Sequence, residues 1–188
     1  TSSATENRVI LWDTDTCEMV RVFWNLSIPN SAVFSPDGDR VVTGSSGNDI
    51  SLWDVTDGGL VSTMLHPWGV YSVASSPSGR SQIISAGGPT VILWDIEKSL
   101  PVRTFLEYMH GVYCATYSPD GTIILVGNSD GTARLLSVET GEVIQTFSGH
   151  TDVVEHVTFS QDGTRIMTGC RDHTAKWWNA QTGELLET

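Results

Sequence analysis

Histidine, cysteine and aspartate are the residue types in this sequence that could ligate a metal or serve as nucleophile and base. The eight histidines and cysteines are spread along the chain: His66, His110, His150, His156, His173, Cys17, Cys114 and Cys170. The histidines lack the His-Glu-x-x-His spacing of a zinc site, and the cysteines form no Cys-x-x-Cys pair. Asp37, Asp120 and Asp162 stand at turns without the dense run of oxygen ligands of a calcium loop. The spacing therefore predicts no metal site, no cofactor and free thiols.

The elements that position these residues repeat along the chain. Five related tripeptides mark the repeat: Leu11-Trp12-Asp13, Leu52-Trp53-Asp54, Leu93-Trp94-Asp95, Leu135-Leu136-Ser137 and Trp177-Trp178-Asn179. Their third members are separated by 41, 41, 42 and 42 residues. A fixed period of this size indicates a repeat architecture, in which each unit is one supersecondary motif.

A second marker keeps the same period. Four tetrapeptides carry it: Ser35-Pro36-Asp37-Gly38, Ser76-Pro77-Ser78-Gly79, Ser118-Pro119-Asp120-Gly121 and Ser160-Gln161-Asp162-Gly163. Their serines lie 41, 42 and 42 residues apart. Proline presets φ and glycine tolerates positive φ, so each tetrapeptide predicts a tight turn.

Between the markers the sequence alternates short apolar runs with turns. In the unit that starts at Val112, strands are predicted over 112–117, 122–126, 132–136 and 143–147. Turn residues separate them, and no helical periodicity is present. Four strands in every 41 or 42 residues are typical of a β-propeller blade.

These motifs resemble those of the WD40 repeat family. The Trp-Asp pairs, the Phe34-Ser35-Pro36-Asp37-Gly38 turn and the Gly149-His150 pair match the pattern of that family, and the resemblance spans nearly the whole chain. It implies an all-β fold, a WD40 β-propeller with four blades after an N-terminal half blade. The predicted domain is a single segment, 1–188, with the half blade at about 6–25 and blades at about 31–67, 70–108, 112–149 and 153–188.

The number of strands bears on the size of the ring. The half blade is predicted to hold only a third and a fourth strand, Arg8 to Trp12 and Met19 to Trp24. WD40 propellers usually close with seven or eight blades, which needs more residues than the 188 present. We therefore expect an arc of a larger seven- or eight-bladed ring; the alternative is a ring that several copies complete.

The resemblance also implies a role for polar residues inside each blade. In the family, a His before the first strand, a Ser or Thr on the second, an Asp in the next turn and a Trp on the third form a hydrogen-bonded set that pins the blade. The last blade carries the full set, and other blades carry parts of it: His150, Thr168, Asp172 and Trp178, then His66, Trp94, Trp53 and Trp12.

In the other blades the set is incomplete. Asn25 replaces the His in the second blade, Gly88 replaces the Asp in the third, and Leu136 replaces the Trp in the fourth. We therefore expect those blades to depend more on apolar packing than on the polar set.

The set shares its residue types with a nucleophilic triad. A triad needs an exposed hydroxyl beside a cavity and an oxyanion site. Because the set recurs in degraded form from blade to blade, a structural role explains it better, and no catalytic residue is predicted.

Composition sets limits on the partners. Ten Lys and Arg against 22 Asp and Glu give a net charge of −12, which disfavours nucleic acid and anionic membranes. No run approaches the length of a transmembrane helix, and the start resembles no signal peptide. We therefore expect an intracellular protein, in the first place a cytoplasmic one; a nuclear or cytoskeletal location is the alternative.

Much of the negative charge falls on one predicted face, which we call the acidic face. Loops from first to second and from third to fourth strands form it. It holds fourteen of the 22 acidic residues: Asp13, Asp15, Glu18, Asp37, Asp39, Asp54, Asp57, Asp95, Glu97, Asp120, Glu139, Glu142, Asp162 and Glu184. Solubility and turn propensity explain them; the alternative is attraction of basic segments of a partner.

The opposite face, which we call the aromatic face, carries the fourth-to-first and second-to-third loops. Its candidate partner-binding residues are Trp24, Trp68, Tyr108, Met109 and Arg171. Exposed aromatic residues are typical of interface hot spots, although the rings could instead fold back over the blade as core.

The predicted function is a non-catalytic scaffold that mediates protein–protein interactions within a larger assembly. Two alternatives remain: a self-assembling element whose copies complete a ring, and a propeller enzyme with an active site in its channel. The second lacks a convergent set of acid, base or metal residues.

Overall fold

The computed structural model describes residues 2–3, 6–106 and 110–188. Within these ranges all regular secondary structure is β-strand, and the strands form five antiparallel sheets. The described part of the chain contains no helix that is long and apolar enough to cross a membrane. The predicted all-β fold with blade-like units is confirmed.

We number the sheets as blades 1 to 5 in chain order. Blade 1 contains β1 (Ser2–Ser3), β2 (Glu6–Trp12) and β3 (Met19–Trp24). Blade 2 contains β4 (Pro29–Phe34), β5 (Arg40–Ser45), β6 (Asp49–Asp54) and β7 (Leu60–Leu65). Blade 3 contains β8 (Ser72–Ser75), β9 (Gln82–Gly87), β10 (Thr90–Asp95) and β11 (Leu100–Leu106). Strand order follows chain order in each blade.

Blades 4 and 5 repeat this arrangement. Blade 4 contains β12 (Val112–Tyr117), β13 (Ile123–Asn128), β14 (Thr132–Ser137) and β15 (Val143–Ser148). Blade 5 contains β16 (Val154–Phe159), β17 (Arg165–Cys170), β18 (Ala175–Asn179) and β19 (Leu185–Glu187).

Burial along the strands explains why continuous apolar runs mark the middle of a blade. In β5 and β13 every residue after the first is buried, because neighbouring blades cover both faces of these second strands. The fourth strand β15 exposes most of its length and buries mainly Phe147. In blades 2 and 4 the second strand is therefore the buried, apolar part, whereas the outer strand of blade 4 is largely exposed.

The first strands of successive blades are joined by bonds between side chain and backbone. The Val73 N–H donates to Ser31 Oγ at 3.1 Å, which links β8 to β4. The Ala115 N–H donates to Ser72 Oγ at 3.3 Å, which links β12 to β8. The first strands thus lie side by side along the inner side of an arc.

Apolar clusters fill the spaces between blades. Between blades 3 and 4, for example, Ile84 and Leu93 pack with Val112 and Val126, all of them at most 3% exposed. Burying such a side chain contributes about 1.5–3 kcal/mol relative to leaving it in water. A glycine near the end of the second strand permits this close packing: a Cβ at Gly127 would lie only 2.8 Å from the Val154 carbonyl oxygen.

Blade 1 differs from the half blade that the sequence predicts. Besides the two predicted strands it has β1, which pairs antiparallel with β2 through Ser2 and Ser3. This two-residue strand has no alternation of apolar residues that could have indicated it.

Candidate functional site

The polar set of blade 5 forms a continuous hydrogen-bonded network. His150 precedes β16, and its Nδ1 lies 2.8 Å from Asp172 Oδ2. Its Nε2 lies 2.7 Å from Thr168 Oγ1 on β17. The Trp178 indole on β18 donates to the same hydroxyl at 2.9 Å. Two strands and two loops of the blade are thereby tied together.

The Asp172 carboxylate has further donors. Although desolvation acts to raise it, hydrogen bonds from Thr174, His150 and the Thr151 backbone hold the pKa of Asp172 well below its ordinary value. The ionised form therefore belongs to the native network.

This network does not have the arrangement of a catalytic triad. Thr168 is 1% exposed, and its hydroxyl is held between the imidazole and the indole. A substrate could not reach this oxygen, whereas a nucleophile must be accessible.

A possible set of metal ligands overlaps with the network. Ligand atoms of His150, Cys170 and Asp172 lie within 4.8 Å of one another. Protein partners already occupy them: the Cys170 thiol, for instance, donates to the Asp152 carbonyl at 3.0 Å. The donor set thus fits the blade network better than a metal.

Blade 2 keeps a polar network despite the loss of its histidine. The Trp53 indole donates to Thr43 Oγ1 at 3.0 Å, and the Thr43 hydroxyl donates to Asn25 Oδ1 at 2.6 Å. Asn25 is 7% exposed, so its amide oxygen takes the buried position of the imidazole. The histidine is thus replaced by another acceptor, because an amide oxygen also accepts a hydrogen bond. The expectation that this blade depends more on apolar packing than on the polar set stays a prediction.

In blade 3 the histidine turns toward a loop. The Trp94 indole donates to Ser85 Oγ at 2.8 Å, as the indoles of blades 2 and 5 donate to a threonine. His66 Nδ1 instead lies 2.9 Å from the Trp68 carbonyl oxygen and 3.2 Å from the Trp68 backbone nitrogen. Burial lowers the pKa of His66, which favours the neutral ring. The polar set of this blade therefore fixes the loop that carries Trp68.

Blades 4 and 1 differ from this pattern at the tryptophan position. Leu136 occupies the position in blade 4, where Asp130 bonds to Thr132 and Arg134. Trp12 of blade 1 is 44% exposed, unlike its buried counterparts. Beside β2 the structure describes the two-residue strand β1, whereas blades 2, 3 and 5 have a six-residue second strand with Ser or Thr. The role assigned to Trp12 from the sequence stays a prediction.

Trp68 lies on the aromatic face, with its ring against the backbone of the neighbouring turn. It is 51% exposed, although the ring packs so closely on Gly88 that a Cβ there would meet Trp68 Cγ at 2.4 Å. Exposure and restraint combine here: the ring is held in position but still faces solvent.

Beside Trp68 runs a row of side chains, of which the sequence interpretation named Arg171 and missed the others. Tyr71 stacks on Tyr113 with ring centroids 5.0 Å apart and planes 5° from parallel. The Arg171 guanidinium lies 5.6 Å from the Tyr113 ring centroid, and its Nε is 2.6 Å from Glu155 Oε1. We call Tyr71, Tyr113, Arg171 and Glu155 the aromatic row; it crosses blades 3, 4 and 5.

The backbone explains this row. In β12 and β16 the register shifts between Val112 and Cys114 and between Val154 and His156, so Tyr113 and Glu155 are the extra residues of β-bulges. A bulged residue is left out of the ladder and its side chain is re-aimed. Tyr71, Tyr113 and Glu155 stand one repeat apart in sequence, and this spacing was the available signal.

The remaining candidate residues are separate from this row. Trp24 is 65% exposed at the end of β3, with the Arg8 guanidinium 5.8 Å from its ring centroid. Nearby in sequence, Leu26 is 88% exposed. Tyr108 and Met109 lie outside the described residues.

Aspartates of the acidic face serve the turns. Asp120 Oδ1 accepts bonds from the Ser118 hydroxyl at 2.6 Å and the Thr122 N–H at 3.0 Å. The same bonds at Asp162, from Ser160 and Thr164, lower its pKa to about 2. These carboxylates are ionised at neutral pH, and turn formation accounts for their positions.

The sequence matches models of known protein families in two ways. The model of the WD domain, G-beta repeat, matches residues 24–54, 58–95 and 141–179. The model of the anaphase-promoting complex subunit 4 WD40 domain matches residues 107–155. No curated protein matches the chain. The three WD-repeat segments cover more than half of the sequence and fall on the blades described above, so the chain belongs to the WD40 repeat family.

Proposed function

We propose that this chain is a non-catalytic scaffold that binds other proteins through its aromatic face. WD40 repeats generally mediate protein–protein interactions, and propellers of this family are typically without catalytic activity. We assign binding to the aromatic face because Trp68 and the aromatic row lie together on it.

Two properties make this surface suitable for binding. Trp68 and Tyr71 are 51% and 43% exposed, so partners can reach their rings. The rings are also restrained, Trp68 by Gly88 and His66, and Tyr71 by stacking on Tyr113. Large rings that are already ordered lose little conformational entropy on binding, which is why tyrosine and tryptophan are frequent hot spots.

The acidic face supports partner binding less well. Many of its aspartates accept hydrogen bonds within their own turns, as Asp54 does from Thr56 and Asp57. Their positions follow from local structure, and exposed charges of this kind mainly speed association.

Quantitative co-purification tests the proposal. The full chain, Trp68→Ala and Tyr71→Ala are compared with Leu100→Ala, which removes a side chain that is 58% exposed near the opposite face. We expect the first two variants to lose the same specific partners and Leu100→Ala to retain them. Equal recovery with all four proteins would refute binding by the aromatic face.

Self-association is a second candidate, favoured by the outer side of blade 5. Gly44 and Gly127 each lie against the following blade, at Val73 and Val154, whereas among the described residues a Cβ at Gly169 would contact only His156 Cβ, at 3.5 Å. Trp177 and Met167 lie half-buried on the same side of this sheet. Copies that pack there would give a discrete oligomer, and Trp177→Lys would dissociate it.

Light scattering at two protein concentrations decides this second candidate. A monomer at both concentrations excludes it, and an oligomer that Trp177→Lys leaves intact would place the contact elsewhere.

A further inference from the structure

The aromatic row already contains one complete guanidinium site. The Arg171 guanidinium lies over the Tyr113 ring at 5.6 Å, and Glu155 binds its Nε at 2.6 Å. Both charged side chains remain partly exposed, Arg171 at 51% and Glu155 at 38%. A tyrosine face next to a carboxylate therefore holds an arginine in this surface without burying it.

Tyr71 continues this stack at the other end of the row. Its ring is parallel to that of Tyr113 at 5.0 Å, and the residue is 43% exposed. The equivalent bulge position in the preceding blade is Asn30, whose side-chain amide donates to the Val70 carbonyl at 2.8 Å. The row thus ends, toward blade 2, on a tyrosine ring beside a neutral residue.

The charge of the whole chain favours a cationic partner. The chain carries a net charge of −12. Within the row, the charge of Arg171 is compensated by Glu155, and Asp152 also acts on Arg171 electrostatically. An anionic partner such as nucleic acid would be repelled, whereas a basic segment would be attracted to the surface.

We propose that the aromatic row binds an arginine-containing basic segment of a partner protein, whose guanidinium stacks on the ring of Tyr71. The arginine of the partner would then be a fourth member of the stack, which would run from Arg171 over Tyr113 and Tyr71 to that arginine. This inference rests on the proposed function, since it names the chemistry of the partner at the same face.

Three matched peptides test the chemistry. The probes are capped heptapeptides in which glycine alternates with arginine, with lysine or with citrulline, the neutral analogue of arginine. Their binding to the full chain is measured by NMR titration at low salt. We expect the arginine peptide to bind best and the citrulline peptide to bind weakest, because only arginine combines charge with a planar group that stacks.

Two variants of one residue test the position. Tyr71→Phe keeps the ring, while Tyr71→Ala removes it from an exposed site where folding should be unaffected. At exposed sites a cation–π contact contributes about 0.5–1 kcal/mol, which is about two- to fivefold in affinity. We expect that loss for the arginine peptide with Tyr71→Ala, and unchanged affinity with Tyr71→Phe.

The outcomes separate this inference from the proposed function. Equal affinity for the arginine and citrulline peptides, or no effect of Tyr71→Ala, would overturn the arginine site. If partners are nevertheless lost from Tyr71→Ala in co-purification, the face binds proteins through another chemistry. If neither peptides nor partners respond, both proposals fail.

Discussion

Single hydroxyl groups hold the blades together at the residue scale. Thr168 in blade 5 and Thr43 in blade 2 each accept an indole N–H and bond to a second buried side chain, His150 or Asn25. A buried donor that loses its acceptor costs more than the bond itself contributes, because the group remains desolvated. We therefore expect the stability of the chain to be sensitive to substitution of these two threonines.

Thr168→Val tests the contribution of this hydroxyl, because the valine side chain has nearly the same shape as that of threonine but cannot form hydrogen bonds. It leaves the Trp178 indole and one imidazole nitrogen without their partner, which should destabilise the chain by about 1–3 kcal/mol. The control is Thr158→Val on the same blade, where an exposed hydroxyl bonds only the adjacent Phe159 carbonyl. Urea denaturation measures both, and equal stability of the two variants would contradict the role of Thr168.

The carboxylate of Asp172 adds a dependence on pH. Its pKa in the folded chain lies below the ordinary value of 3.8, so its stabilising bonds are complete above that value and are lost as the pH falls below it. The stability difference between the wild type and Asp172→Asn should therefore narrow between about pH 7 and about pH 3. A difference that stays constant over this range in urea denaturation would show that the charge is not part of the network.

Packing between blades is decided at the scale of strands. The second strand of a blade approaches the first strand of the next so closely that glycine is required, as Gly127 illustrates against Val154 and Cys114. Blade 5 has the same glycine at position 169, but no comparable neighbour among the described residues lies against it. The two positions share their local structure and differ only in what packs on them.

This pair provides a matched comparison. Gly127→Val would force a side chain into the Val154 carbonyl and the Cys114 thiol, and overpacking of this kind costs about 1–3 kcal/mol. Gly169→Val should change the free energy of unfolding of the monomer much less. Thermal denaturation of both variants measures the difference; if Gly169→Val is as damaging as Gly127→Val, the close approach between blades does not set the cost.

The period of the sequence predicted the architecture of the whole molecule well, but not the details of its surface. Strands such as β3 and β12 have the bounds predicted from the alternation of residues and the turns, because a pattern that repeats with a fixed period fixes where each strand begins and ends. The stacking of Tyr71 on Tyr113 depends on register shifts of single residues in neighbouring blades. Such shifts cause no change in hydrophobic pattern, so sequence alone did not reveal them.

Substitutions within the repeat were equally hard to interpret. Asn25 appeared as the loss of a histidine, yet its amide restores the network to Thr43. Trp12 appeared as a conforming tryptophan, yet it is 44% exposed, whereas Trp53, Trp94 and Trp178 are buried. For Asn25, a neighbour distant in sequence decides the role of the residue.

The central claim is that the aromatic face is the surface that binds partner proteins. It is tested most directly by isothermal titration of a purified partner, identified by co-purification, against the full chain, Trp68→Ala, Tyr71→Ala and Leu100→Ala. Hot-spot residues typically contribute more than about 1 kcal/mol, so Trp68→Ala and Tyr71→Ala should each weaken binding at least about fivefold, and Leu100→Ala should leave it unchanged. Equal affinities for all four proteins would contradict the claim.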